Sequence, residues 1–148
     1  MGSTGPQFGE LTGDEAVALL ERHHVGRLGF TFHDRVDIEP IGYVFAEGCI
    51  YGRTSPGTKL TTVQHHPWVA FQVDEIVSWS DWKSVVARGT LYVLDPARGD
   101  REAYDRALAV IRSTDPEALT EGDAAPHRTH LFRVFVDEIT GRMARPGA

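Results

Sequence analysis

Apolar and polar residues alternate along this chain with a period that changes from one predicted element to the next. An apolar stripe follows Thr12, which together with Glu15 has the pattern of a capping box, so the spacing predicts a helix over residues 12–24. Over residues 25–32 the period becomes two, which is typical of a strand with one buried face. The chain therefore begins its ordered part with a helix and then enters a sheet.

Turn-forming residues separate the next predicted strands. His33-Asp34-Arg35 and Glu47-Gly48 are predicted turns, and Pro40 between them predicts a bulge or an unpaired edge position, because proline has no N–H to donate. The turns, a β-rich composition and apolar alternation predict five further strands, over residues 36–46, 49–54, 68–76, 83–94 and 130–139.

Helical and loop segments connect these strands. Ser55 as N-cap and Pro56 at the first helical position predict a short helix to about residue 66, and helical spacing predicts another over residues 98–112. Residues 113–129, rich in Pro, Gly and acidic side chains, are typical of a loop. Six strands with two or three helices predict a mainly β fold, a closed or nearly closed antiparallel barrel, because closure removes exposed strand edges.

Size and composition restrict the class of protein. A chain of 148 residues with 41% hydrophobic residues is expected to build one core, and no apolar run approaches the roughly 20 residues that span a bilayer. We expect one domain over residues 11–142, with flexible tails at 1–10 and 143–148. The net charge of −6 argues against a nucleic-acid-coating protein. The absence of a signal-like segment and the lone Cys49 lead us to expect a cytoplasmic protein.

Residues at the end of the third predicted strand have the chemistry of a phosphate site. Arg53 is followed by the hydroxyls of Thr54 and Ser55, and the predicted helix start then carries Lys59. A cation in a first helical turn opposes the helix dipole unless an anion lies beside it. From these residues alone a solvated basic turn is an equal alternative.

Six short motifs carry a resemblance to a known family. They are Val-Gly-Arg-Leu-Gly-Phe at 25–30, Pro-Ile-Gly-Tyr at 40–43, Ile-Tyr-Gly-Arg-Thr at 50–54, Gly-Thr-Lys-Leu at 57–60, Val-Ala-Phe-Gln-Val-Asp at 69–74 and Trp-Lys-Ser-Val-Val-Ala-Arg-Gly at 82–89. In this order and spacing the chain resembles the pyridoxamine 5′-phosphate oxidase-like superfamily, in particular its branch of nitroimidazole-resistance and flavin-nucleotide-binding proteins. The resemblance extends from residue 11 to about residue 142.

The resemblance implies a six-stranded split β-barrel that forms a homodimer and holds FMN in a groove between the subunits. Arg53 and Lys59 would then bind the FMN phosphate, with Thr54 and Ser55 as hydroxyl donors. This assignment agrees with the electrostatic interpretation of the same segment.

The resemblance also implies contacts to the flavin ring. The segment that contains Ile41, Gly42 and Tyr43 would run beside the isoalloxazine ring and offer backbone hydrogen bonds. Trp82 and Ser84 would border the flavin or the dimer interface, and a core position is the alternative for Trp82.

The function implied by the resemblance is an FMN-dependent oxidoreductase. It would move electrons between a reduced nicotinamide and a small planar organic acceptor, such as a nitroaromatic. No catalytic residue is assigned, because the isoalloxazine ring supplies the redox chemistry. The competing hypothesis is a flavin-, heme- or deazaflavin-binding module without turnover, which would serve storage, sensing or protection.

The histidines and Cys49 could in principle bind a metal or act as a nucleophile, but their positions in the sequence favour structural roles. The pairs His23-His24 and His65-His66 lie at predicted helix ends, where histidine favours the dipole, so we expect no metal site. His127 and His130 have the spacing of a ligand pair, so heme binding by these two histidines is one interpretation. The other is that they lie in an exposed loop without a ligand. Cys49 follows a turn and is expected to be a packed thiol.

Overall fold

The fold is known from a computed structural model that describes residues 5–56 and 67–147. Its strands are β1 (Gln7–Glu10), β2 (Val25–Phe32), β3 (Arg35–Ala46), β4 (Cys49–Thr54), β5 (Trp68–Ser78), β6 (Asp81–Leu94) and β7 (His130–Arg145). Its helices within these ranges are α1 (Gly13–Arg22), the 3-10 turn Pro96–Arg98 and α2 (Arg101–Arg112).

The strands form one antiparallel sheet that closes on itself. Their order is β1-β7-β4-β3-β2-β5-β6, and β6 pairs back onto β7, so that β2 to β7 complete a six-stranded ring. Strand β7 pairs with β4 only over residues 130–135, whereas it follows β6 to residue 144 and meets β1 at residues 142–145. The ring is therefore open between β4 and β1. The predicted mainly β split-barrel fold is confirmed.

Both predicted hairpin turns are present. Glu47 and Gly48 have φ values of 54° and 76°, and His33 and Asp34 have values of 50° and 61°. Two consecutive residues with positive φ match the right-handed twist of the flanking strands. Pro40 pairs with β2, and the pairing of β3 with β4 begins only at residue 43, so the predicted edge position is confirmed.

The barrel interior supplies the main core, and the two helices cover different parts of it. Leu28, Phe71 and Phe132 from three strands are fully buried in the ring, and Leu19 and Leu20 of α1 join the same cluster. The capping box at Thr12 predicted for α1 is present. Helix α2 lies against the outer face of β4 and β7, where a second buried cluster forms.

Two differences from the sequence-based expectations concern segment ends. Residues 7–10, assigned to a flexible tail, form β1, and β7 continues to Arg145, beyond the predicted domain end. All four residues of β1 are exposed, so no apolar alternation marks the strand, and only its long-range pairing with β7 forms it. The helix predicted from Ser55 to about residue 66 lies almost entirely outside the described residues. In the part of the chain that is described, no helix is long and apolar enough to cross a membrane.

Candidate functional site

Arg53 is on the outer face of β4 and is bound to the segment before β7. Its Nη2 donates to Oδ2 of Asp123 at 2.5 Å and to the carbonyl of Ala125 at 3.0 Å, and its Nε donates to the carbonyl of Arg128 at 3.0 Å. The Arg53 side chain is only 9% exposed. Its guanidinium therefore fastens residues 123–128 to the end of β4.

Asp123 is equally well satisfied. Its carboxylate is 2% exposed and also accepts the backbone N–H groups of Leu119 at 2.8 Å and Ala125 at 2.9 Å. The hydrogen bond from Arg53, followed by these two backbone donors, holds the pKa of Asp123 well below its usual range. Phosphate binding by Arg53 stays a prediction, and in this fold it would require the phosphate to replace Asp123 on the guanidinium.

The other predicted phosphate ligands follow Arg53 along the chain. Thr54 is the last residue of β4 and is 6% exposed, and Ser55 comes directly after the strand with partial exposure. Lys59 lies outside the described residues. Thr54 and Ser55 thus lie at the end of β4, and their binding of phosphate stays a prediction.

The segment predicted to run beside the flavin ring is on β3, next to β4. Ile41 and Tyr43 face the core, where the Tyr43 hydroxyl donates to the carbonyl of Leu20 at 2.7 Å. Burial raises the pKa of Tyr43, so its side chain is a neutral core residue. Gly42 is exposed, and its neighbour Tyr43 pairs with Gly52 of β4. Gly42 therefore offers exposed backbone beside the strand that carries Arg53.

Trp82 and Ser84 are near the start of β6 and line a cavity of about 580 Å³. The indole Nε1 of Trp82 donates to the carbonyl of Trp79 at 3.2 Å, and the ring is only partly buried, so Trp82 is not part of the buried core. The remaining walls come from β6, the later part of β7, the end of β1, the first turn of α1 and the connection between them. They include Arg88, Glu138, Thr140, Arg142, Glu10 and Ala16.

The predicted site residues thus form two groups. Gly42 pairs with Val25 of β2, whereas Ser84 pairs with Asp74 of β5, and β2 and β5 are neighbours. Along the sheet, three interstrand spacings, about 14 Å, therefore lie between Gly42 on β3 and Ser84 on β6. The structure brings Arg53, Thr54, Ser55 and Gly42 together on β3 and β4, and it brings Trp82 and Ser84 together on β6. One way round the ring β2 and β5 lie between β3 and β6, and the other way β7 lies between β4 and β6.

A polar network that the sequence analysis missed crosses these intervening strands. Arg27 Nη1 lies 3.6 Å from Oδ1 of Asp74, and Nε2 of Gln72 donates to Oδ2 of Asp74 at 2.9 Å and to Oγ of Ser84 at 3.0 Å. Gln72 and Asp74 are two residues apart on one face of β5, within one of the family-like motifs. That spacing indicates that the two side chains share a face of the strand. Their partners on β2 and β6 can be identified only from the pairing register of those strands with β5.

His23 and Cys49 take structural positions. His23 Nε2 contacts Oε2 of Glu75 at 2.5 Å, and Arg22 binds the same carboxylate through Nε at 2.7 Å. Arg22 first, and then His23, lowers the pKa of Glu75 to about 2. Residues 5–56 and 67–147 contain no group of three or more His, Cys, Asp or Glu that could hold a metal ion. Cys49 is buried, and burial raises the pKa of its thiol.

Comparisons with known proteins cover nearly the whole chain. The sequence model of the family described as pyridoxamine 5′-phosphate oxidase matches residues 12–143. A protein of Rhizobium meliloti named RA0666 is 28% identical over 142 residues, which are 90% of this chain and 93% of that protein.

The solved structures that are similar to this fold include two FAD-binding proteins. A FAD-binding protein from Mesorhizobium loti has a TM-score of 0.71 and 26% identity, and the match covers 92% of this chain and 97% of the other. The FAD-binding protein from Mycobacterium smegmatis has a TM-score of 0.68 and 26% identity over 93% of this chain and 100% of its own.

Proposed function

Because the chain belongs to the pyridoxamine 5′-phosphate oxidase family, we propose that it binds a flavin nucleotide, and specifically FMN. The observation that carries this proposal is the similarity, over nearly the full length of both chains, to two FAD-binding proteins. The phosphate binds at the end of β4, where Thr54, Ser55 and Lys59 follow one another, and the ring runs beside the exposed backbone of Gly42.

FAD is the second candidate, because both of these similar structures are FAD-binding proteins by name. FMN and FAD share the ring, the ribityl chain and the first phosphate, so the same residues serve either nucleotide. The visible spectrum of the purified protein, followed by mass identification of the acid-released chromophore, separates the candidates. We expect the released chromophore to have the mass of FMN. The mass of FAD would change the nucleotide that we assign, and a Soret band in the spectrum would show that the protein holds heme instead of flavin.

The flavin site lies between two copies of this chain in our proposal. The outer face of β3, β2 and β5 carries exposed apolar side chains, with Ile38 at 66%, Val36 at 77% and Trp68 at 55% exposure. Ile38 pairs with Gly29, which pairs with Ala70, so small residues lie beside it and permit close approach of another surface. A face of this kind on a small domain is typical of a protein–protein interface.

Sedimentation tests the dimer. The protein is expected at about twice its chain mass of 16.4 kDa. Ile38→Asp places a charge on the apolar face and should give a folded monomer with weakened FMN binding. Ala109→Asp, on the exposed side of α2, is the matched control and should remain dimeric. A wild-type monomer that binds FMN tightly would contradict an intersubunit site.

The last part of the proposal is that the bound flavin catalyses repeated electron transfer. With FMN bound, the ring supplies the redox chemistry, and the chain aligns a reduced nicotinamide and a small planar acceptor, such as a nitroaromatic, against it. The half-buried Trp82 is the side chain that shapes this region. Anaerobic NADH or NADPH should bleach the bound flavin, and an acceptor should restore its colour over many cycles. A flavin that stays oxidised with both nicotinamides would leave a binding module without turnover.

A further inference from the structure

The polar network on β5 and β6 has a fixed hydrogen-bond direction. The carboxylate of Asp74 can only accept, so the Gln72 side chain must turn its NH₂ group toward Asp74. The second hydrogen of the same Nε2 points to Oγ of Ser84, 3.0 Å away. Nη1 of Arg27 lies 3.6 Å from the other carboxylate oxygen, Oδ1, of Asp74. Gln72 is thus the hydrogen-bond donor to both Asp74 and Ser84.

This direction determines what Ser84 offers to a ligand. Its oxygen is an acceptor toward Gln72, which leaves the hydroxyl proton to be donated elsewhere. Within the described residues Ser84 donates no hydrogen bond, and its side chain lines the cavity beside Trp82. Ser84 is therefore set as a donor that faces the cavity.

A second donor lies beside it. Arg142 is directly opposite Ser84 in the pairing of β6 with β7, lines the same cavity and is exposed, and no ion pair or hydrogen bond engages its guanidinium within the described ranges. Glu138 and Glu10 also line the cavity, and Glu138 lies 4.0 Å from Arg88. The pair formed by Ser84 and Arg142 fits a ligand group rich in acceptors, such as adjacent carbonyls.

We propose that Gln72 and Asp74 are positioning residues that hold the Ser84 hydroxyl as a donor, and that Ser84 and Arg142 bind the carbonyl-bearing pyrimidine edge of the flavin ring. The inference rests on the proposed flavin binding. Since the FMN phosphate is proposed to bind the residues that follow β4, the cavity at Ser84 and Arg142 is left for the edge of the ring. The phosphate-free flavin, riboflavin, separates these two parts of the ligand.

Affinities for FMN and riboflavin test the ring contact. Ser84→Ala removes one hydrogen bond and should weaken both ligands by the same factor, about two- to tenfold. Thr90→Ala removes a hydroxyl further along the same strand and should leave both affinities unchanged. A loss confined to FMN would place the phosphate at Ser84 and overturn the assignment to the ring.

Asp74→Asn tests the positioning role. An asparagine lets the Gln72 amide turn its oxygen toward Ser84, which would then donate to Gln72 rather than to the ligand. We expect the same two- to tenfold loss as in Ser84→Ala, a shift of the bound-flavin spectrum in the same direction, and no further loss when both changes are combined. A purely coulombic role of Asp74 predicts the opposite sign, because removal of a negative charge would tighten the anionic FMN and leave riboflavin unchanged.

Two further outcomes separate this inference from the proposal on which it depends. If the wild-type protein binds neither FMN nor riboflavin, flavin binding itself is wrong. If it binds both and these variants match the wild type, only the role of Ser84, Gln72 and Asp74 is wrong. Gln72→Met removes the donor at similar volume and replaces Asp74→Asn if a thermal melt shows that the latter does not fold. It should reproduce part of the loss.

Discussion

Arg53 and Asp123 are 70 residues apart in the sequence and form a buried ion pair, with Nη2 and Oδ2 separated by 2.5 Å. Their side chains are 9% and 2% exposed. The pair connects the end of β4, where the phosphate prediction begins, to the loop that precedes β7. The ion pair therefore holds this loop against β4, whether or not a ligand is bound.

Removal of either partner should destabilise the protein, because the other charge loses its buried partner. Without the Asp123 charge, Arg53 would keep only Asp115, which is 53% exposed and 3.6 Å from Nη1. We expect Arg53→Ala and Asp123→Asn each to lower the melting temperature by at least about 5 °C. The control is Arg98→Ala, which removes an arginine that is 86% exposed and should shift the melt by little. Melts of the two variants that match the wild type would show that the pair does not hold the loop.

The same two variants decide whether Arg53 also binds phosphate. If it does, Arg53→Ala should weaken FMN by about ten- to a hundredfold and riboflavin much less, because a charge-assisted contact to the phosphate is lost. Asp123→Asn would leave the guanidinium in place and favour its exchange onto the phosphate, so FMN should bind at least as tightly as in the wild type. Equal losses of FMN and riboflavin in both variants would limit Arg53 to the structural role.

The ion pairs on Glu75 predict acid sensitivity. Glu75 has its pKa lowered from 4.5 to about 2 by Arg22 and His23, so the folded state binds a proton at lower pH than the unfolded chain. The stabilisation is complete above about pH 4.5 and is lost as the pH falls toward 2. Denaturant unfolding between pH 6 and 2 should show this decline, and Glu75→Gln should flatten it. The exposed Glu102→Gln is the control, and an unchanged profile in Glu75→Gln would contradict the assignment.

Barrel closure depends on a glycine. A Cβ on Gly89 would lie 1.7 Å from the carbonyl oxygen of Phe135, at the register shift between β6 and β7. We expect Gly89→Ala to unfold the protein or to lower its melting temperature by more than any other variant proposed here. Gly9→Ala is the matched control, since its Cβ would only contact the flexible Met143 side chain at 3.8 Å. A stable Gly89→Ala protein would show that the strands can separate locally.

What the sequence predicts is the part of the fold that local chemistry determines. Glu47-Gly48 specifies its turn because the hairpin needs positive φ, and Thr12 with Glu15 specifies the start of α1. The ion pair of Arg53 with Asp123 has no local signal, because its partners meet only after β4 and β7 have paired. The network through Gln72 depends in the same way on the register of β5 with β6.

The same limit applies to the candidate site. The motifs identify Trp82 and Ser84 as one group and the residues that follow β4 as another. Only the strand order shows what lies between them, which is β3, β2 and β5 one way round the ring and β7 the other way. Inward and outward positions also follow from the folded sheet. Ile41 and Tyr43 belong to the core, whereas Gly42 is the member of that segment with exposed backbone.

The most direct test of the central claim is an equilibrium titration of the flavin-free protein with FMN, followed by the change in flavin fluorescence. We expect saturation at one FMN per chain, with riboflavin binding more weakly because it lacks the phosphate that Thr54, Ser55 and Lys59 are proposed to hold. Fluorescence that does not change with added protein, for FMN and FAD alike, would contradict flavin binding by this chain.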